Sequence, residues 1–283
     1  MTYSIVARDA ATGELGVAVQ SRAFGTGAAC AWAQPGVGAV ATQSFTERSY
    51  GPRGLELLAG GADPADALAE LLAEDERREY RQVAFLAADG RTAAHTGAEC
   101  IPACGDLSRT DVSAQGNMLA SPEVWPAMVG AFAASTGPLG ARLLDALDAG
   151  EAAGGDFRGR QAGGLVVVSG DPDEAPWQRR VDVRVDDHPE PLAELRRLYA
   201  MAEVYRRRSG FGEASDVEEE IAVARAAGLR DDEVALTGAL VEARHGDLDT
   251  AARRLAPFAP RLRDTLERLE RLGLLPAGVA ARL

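Results

Sequence analysis

The sequence predicts an α+β protein: a four-layer αββα sandwich carrying an all-α helical appendage at its C-terminal end. Three observations predict it. Strand-like sequence begins within a few residues of the start. Strands then arrive in groups separated by pairs of helices, whereas a right-handed parallel sheet would alternate single elements. Beyond about residue 208 only helical periodicity remains, so the domains are expected over 1–208 and 209–283.

The elements follow in order. Ser4-Ile5-Val6-Ala7-Arg8 and Leu15-Gly16-Val17-Ala18-Val19-Gln20-Ser21 flank a Gly-containing turn and read as a hairpin. Gly36-Val37-Gly38-Ala39-Val40-Ala41-Thr42 is a small-residue strand that suits close approach, and it ends in the polar pair Gln43-Ser44. From Tyr50 the period becomes helical on both sides of Gly60-Gly61-Ala62-Asp63-Pro64, with Asp63 as N-cap and Pro64 at the first helical position. Residues 82–87 and 92–97 form a second hairpin around Asp89-Gly90. A further strand runs over 112–119, helices fit 122–135 and 138–149, strands fit 163–168 and 180–185, and a helix starts near Pro189. In the tail, residues 235–255 around Gly246-Asp247-Leu248-Asp249 resemble one tetratricopeptide-type hairpin, which cannot form a solenoid alone.

Composition sets the outer limits. The chain has 283 residues, 46% hydrophobic and 26% charged, which is ordinary globular usage. With 43 acidic against 30 basic side chains the net charge is −13, a field that repels phosphate backbones and anionic lipid. Neither nucleic acid nor a membrane is expected as a partner. No charged start followed by an apolar run opens the chain, so a soluble cytoplasmic protein is expected, mature at its amino terminus apart from loss of Met1. Cys30, Cys100 and Cys104 lack a second pair to complete a zinc tetrahedron and read as small buried thiols. No metal and no cofactor is expected.

The amino terminus carries the sharpest chemical signal. A Thr directly after the initiator Met is small enough for that Met to be removed, leaving the Thr2 hydroxyl beside its own free amine. An α-amine of pKa about 8 can take the hydroxyl proton at neutral pH without a histidine. Many proteins begin Met-Thr with no such consequence. A strand starting within two residues of the terminus, however, fixes Thr2 rigidly at the edge of the sheets. In Gln115-Gly116-Asn117, Gly116 N–H and the Asn117 amide are candidate oxyanion donors, and the alternative is a buried turn in which Asn117 caps the next helix. In Gly154-Gly155-Asp156-Phe157-Arg158-Gly159-Arg160, Asp156 is expected to pair with an arginine, orienting the amine or holding a substrate carboxylate, and a purely structural ion-paired loop is the alternative. Gln43, Ser44, Arg22, His95 and Arg158 complete the candidate site as substrate-binding residues, although His95 also reads as a satisfied core histidine.

These motifs occur together with Thr2-Tyr3-Ser4-Ile5-Val6-Ala7-Arg8-Asp9, Tyr50-Gly51-Pro52-Arg53-Gly54-Leu55, His95-Thr96-Gly97 and Asp186-Asp187-His188-Pro189. In this combination the chain resembles the family known as domain of unknown function 1028, from Thr2 to about Leu198. The resemblance implies the N-terminal-nucleophile hydrolase superfamily, its αββα fold and Thr2 as nucleophile, with a site lined near Gln43, Asn117 and Asp156. One position departs: Ala162 follows Arg160-Gln161 where similar sequences carry Ser. The expected function is hydrolysis of a small-molecule amide or ureido C–N bond, in nitrogen catabolism. The competing expectation is a non-catalytic binding protein on the same scaffold. Self-association through the apolar tail is expected.

Overall fold

The computed structural model describes residues 2–208 and 215–283; Met1 and the expected join near 209–212 lie outside the described residues. The chain divides into two compact units, Met1–Arg196 and Arg197–Leu283. The boundary expected at 208 is the last residue of a helix that begins at Pro191.

The first unit is a mixed α+β body with two antiparallel sheets. In chain order it contains β1 (Thr2–Arg8), β2 (Leu15–Ser21), α1 (Thr26–Cys30), β3 (Ala31–Gln34), β4 (Gly38–Ser44), α2 (Tyr50–Ala59) and α3 (Pro64–Glu74). There follow β5 (Arg81–Ala87), β6 (Thr92–Thr96), β7 (Gly105–Arg109), β8 (Val112–Asn117), α4 (Val124–Ala134), α5 (Leu139–Ala152), β9 (Ala162–Val168) and β10 (Val181–Val185). One sheet has six strands in the order β10-β9-β2-β1-β8-β7, and the other has four in the order β3-β4-β5-β6.

Side-chain alternation decides what lies between the sheets. Val6, Leu15, Val17, Val166 and Val168 of the larger sheet meet Ala39, Ala41, Ala84 and Leu86 of the smaller one in a core of small and branched residues. The opposite face of the smaller sheet, Val40, Val83 and Phe85, is covered by Tyr50, Leu55, Leu68 and Leu71 of α2 and α3. The opposite face of the larger sheet is covered by α4 and α5. Gly16 makes this approach possible, since a Cβ there would lie 2.6 Å from Leu143 Cδ1. Asp63 caps α3 through Ala65 N, with Pro64 at its start.

Among the short elements that the sequence reading omits are α1, β3 and β7. Each has four or five residues. Too few positions are present to establish a period, and tertiary contact decides them. α1 is pressed against β9, where a Cβ on Gly164 would fall 2.7 Å from Gly27 Cα.

The second unit continues from the C-terminal part of α6 (Pro191–Arg208) through α7 (Val217–Ala226), α8 (Asp231–Arg244), α9 (Leu248–Leu255) and α10 (Ala259–Arg271). Asp216 and Asp247 cap α7 and α9 by accepting from Glu219 N and Thr250 N. α8 and α9 are consecutive helices packed through Ala239, Ala251 and Leu255 and joined by a bidentate Arg254–Glu242 pair. No helix among the described residues is long and apolar enough to cross a membrane.

Candidate functional site

β1 lies inside the six-stranded sheet, bonded on one side to β2 and on the other to β8. That position holds Thr2 directly opposite Asn117, in a strand that cannot fray as an edge strand would. Thr2 is 4% exposed, and its Oγ1 donates to Ser21 Oγ at 3.2 Å. Ser21 ends β2 and pairs with Ala162 at the start of β9.

Beneath Thr2 the two sheets are joined by a buried network of amides and hydroxyls. Gln43 Nε2 approaches Thr2 O at 3.3 Å and Gln82 Oε1 at 2.8 Å, while Ser4 Oγ donates to Gln43 Oε1 at 2.7 Å. Gln115 Nε2 donates to Ser4 Oγ. Gln82 is the hub. Its Oε1 accepts from both Gln43 and Asn117 Nδ2, the latter at 2.9 Å, and its Nε2 donates to Gly116 O at 2.8 Å and to Thr96 Oγ1 at 3.0 Å. Among the described residues Gln82 Oε1 accepts one of the two Asn117 Nδ2 hydrogens. Gly116 is paired within the sheet to both Tyr3 and Gly105.

Asp156 is brought to the same end by a bridge between its backbone and Leu119. Its carboxylate is fully buried and accepts four donors: Arg22 N at 2.9 Å, Arg158 N at 3.0 Å, Arg158 Nε at 3.2 Å and Arg158 Nη2 at 2.9 Å. A carboxylate has about four lone-pair sites, so Asp156 joins the β2–α1 and α5–β9 loops and orients Arg158. Arg22 Nη1 in turn donates to Gln161 Oε1 at 2.6 Å.

Two residues here adopt left-handed backbone although neither is glycine: Ser44 (φ 69°) and Met118 (φ 53°). Each directly follows one of the site amides, Gln43 and Asn117. Such conformations cost about 1 to 2 kcal/mol each and gather at functional sites. Ser44 Oγ also lies 3.5 Å from Cys100 Sγ, and burial raises the pKa of that thiol. Cys30 is pushed up to about 11 by burial, and Cys104 is partly exposed.

Thr2, Gln43, Asn117, Asp156, Arg22 and Arg158 are therefore gathered at one end of the sheets, with Ser44 bordering them. His95 is not. It pairs with Val83, whose side chain faces α2 and α3, and its Nε2 bonds Arg78 O at 2.9 Å. Sequence reasoning omits Ser4, Ser21, Gln82 and Gln115. A usable signal exists in β8, where Ser113, Gln115 and Asn117 place polar groups at every second position of a buried strand.

Next to Thr2 on the sheet's other face, the buried Tyr3 hydroxyl donates to Glu151 Oε2 at 2.7 Å; burial, then the Glu151 charge, raise its pKa well above that of a free tyrosine. A cavity of about 390 Å³ elsewhere, lined by Tyr50, Arg53, Glu74 and Asp75, lies on α2 and α3 and holds none of the candidate residues.

A family model described as a family of unknown function, DUF1028, matches residues 2–195. The crystal structure of a protein from Silicibacter pomeroyi, assigned to the same family, is similar at 33% identity with a TM-score of 0.65, covering 71% of this chain and 88% of that one. No protein with a curated description matches.

Proposed function

We propose that this chain, which belongs to the DUF1028 family of unknown function, is an N-terminal-nucleophile amidohydrolase, and that its sheets and helices are the αββα layers of that superfamily. The observation that carries the reading is Thr2 itself: it opens an interior strand, its hydroxyl on Ser21 and the Asn117 amide opposite. In this reading Met1 is removed and the Thr2 amine takes the Oγ1 proton as Oγ1 attacks the carbonyl carbon of a small amide or ureide. Asn117 Nδ2 donates to the oxyanion. The C–N bond then breaks, the leaving nitrogen takes the proton from the amine, and water cleaves the ester on Thr2. Asp156 touches no reacting atom here, and it holds the Arg22 and Arg158 loops in place.

A second reading is a non-catalytic binding protein on the same scaffold, with a small ligand or a partner in place of a substrate. One observation favours it: Ala162, the residue paired with Ser21, brings no hydroxyl to the neighbourhood of Thr2. Intact mass spectrometry combined with turnover of an amide and ureide panel by the native chain and Thr2→Ala tests the proposal. Loss of Met1 and turnover confined to the native chain are expected. Equal turnover by both proteins sinks the nucleophile assignment.

A further inference from the structure

The large apolar side chains exposed on the first unit are unevenly placed. Phe24, Phe45, Tyr80, Ile101 and Phe157 all stand on segments that leave the sheets at the Thr2 end, while Trp177 lies at the opposite end between β9 and β10. Strand register establishes this: Thr2 pairs with Asn117, Ser21 with Ala162, Ser44 with Arg81, Gln82 with Thr96, and Gly105 with Gly116. The rim is built from supported parts. The Phe45 and Tyr80 rings meet edge to face at 5.6 Å, with the Arg77 guanidinium 6.0 and 5.7 Å from their centres. Met118 N donates to Ile101 O at 2.8 Å, and Phe157 N donates to Met118 O at 3.2 Å, which ties the backbone of Ile101 and of Phe157 to the residue after Asn117. Exposed apolar groups concentrated at one end, with Phe45 and Tyr80 in contact, favour a surface that binds something.

Arg22 adds a charge to that surface. It follows Ser21, and it is held twice, by its backbone N on Asp156 and by Nη1 on Gln161. Gln161 is itself fixed, with its Nε2 on Asp187 at 2.9 Å and its backbone N on Ser21 O at 3.1 Å. Arg158 is neutralised by Asp156, and the Asp156 carboxylate reaches Arg22 only at its backbone N; among the described residues no carboxylate lies within ion-pair distance of the Arg22 guanidinium. A guanidinium preoriented by a neutral partner, Gln161, at the end of the sheet where Thr2 lies is suited to a planar carboxylate.

We propose that this end of the molecule selects amides bearing a carboxylate, held by Arg22, together with an apolar or aromatic group lying on the Phe45, Tyr80 and Phe157 rim: the chemistry of an N-acyl amino acid. The proposal rests on reading Thr2 as the nucleophile. The net charge of −13 disfavours a polyanion and leaves a single carboxylate as the better fit.

Binding and turnover separate the two claims. Titration calorimetry of the full-length Thr2→Ala protein with N-phenylacetylglycine is expected to give saturable binding. The carboxamide N-phenylacetylglycinamide and the small acid N-acetylglycine are each expected to bind at least tenfold more weakly. Adding Arg22→Gln lowers affinity for the acid at least tenfold, Arg22→Lys restores part of it, and circular dichroism confirms that both variants fold. Absence of binding, equal affinity for acid and carboxamide, equal affinity for the acetyl and phenylacetyl acids, or indifference to Arg22→Gln overturns the proposal. If the acid binds in this pattern but the native chain never cleaves it or any panel amide, the selectivity stands and the nucleophile reading fails. If another amide is cleaved only by the native chain while the acid does not bind, the reverse holds.

Discussion

Asn117 and Gln82, on different sheets, are joined by a 2.9 Å hydrogen bond from Nδ2 to Oε1, and that same oxygen accepts Gln43 Nε2. Gln82→Leu removes the shared acceptor, which strands Asn117 Nδ2 and leaves Gln43 Nε2 only its longer contacts to Thr2 O and Gln115 O. A loss of about 3 kcal/mol or more is expected from unsatisfied groups of this kind, read as a lower urea midpoint. An unchanged midpoint would show that the amides find other partners.

Ser21→Ala leaves Thr2 in its strand but removes the acceptor of its hydroxyl. Stability is expected to fall by only about 1 kcal/mol. If Ser21 helps to hold Oγ1 for attack, kcat on a cleaved amide falls at least tenfold, and the two measurements together separate a positioning effect from unfolding.

Asp156→Asn keeps the shape of the side chain and removes its charge. Arg22 N and Arg158 then lose a buried carboxylate acceptor, a change worth about 3 kcal/mol when one member of a buried pair is deleted. Limited proteolysis is expected to cut faster within 154–160, and protection equal to the native chain would contradict the anchoring role.

Asp75 and Arg81 give a pH dependence with a definite sign. The Arg81 hydrogen bonds are the largest cause acting on Asp75, and with Arg77 N they outweigh burial and lower its pKa. The unfolded chain, with an ordinary Asp pKa of about 3.9, then binds more protons than the folded one between the two values. The stabilisation is present above the unfolded pKa and is lost as pH falls through the folded one. Asp75→Asn is expected to flatten the acid limb of the stability profile and to cost about 2 kcal/mol at neutral pH. A parallel acid limb in the variant would exclude Asp75 as its source.

Gly164→Ala tests the seating of α1. The new methyl would meet Gly27 Cα, a backbone atom that no rotamer change can remove. Overpacking of this type costs about 2 kcal/mol, and a lowered Tm with native-like circular dichroism is the expected result.

The sequence makes some parts of this molecule legible and others not, for identifiable reasons. Asp63-Pro64 reads as a helix start because one side chain supplies the missing acceptor and the other fixes φ, and the structure has both features. Asp89-Gly90 reads as a hairpin for a similarly local reason, and β5 and β6 flank it. Thr26-Gly27-Ala28-Ala29-Cys30 is silent, since a single turn of small residues has no period and its place depends on Gly164, far along the chain. The site divides the same way. Thr2 and Asn117 stand out at the start and end of their strands, whereas Gln82 looks like an ordinary polar residue opening an apolar run. Only the register of β5 against β4, together with the facing of the two sheets, reveals that Gln82 meets both amides.

The left-handed turns at Ser44 and Met118 bear on how this chain responds to substitution. Glycine at either position adopts the same backbone without the side-chain penalty. After the larger chain entropy that glycine loses on folding is set against it, the native residues leave about 0.5 to 1 kcal/mol unrealised at each turn, and a screen that selects for thermal tolerance alone will tend to enrich changes there. Stability gained in this way would come at the corner nearest Thr2, where it trades against the arrangement that the candidate chemistry uses.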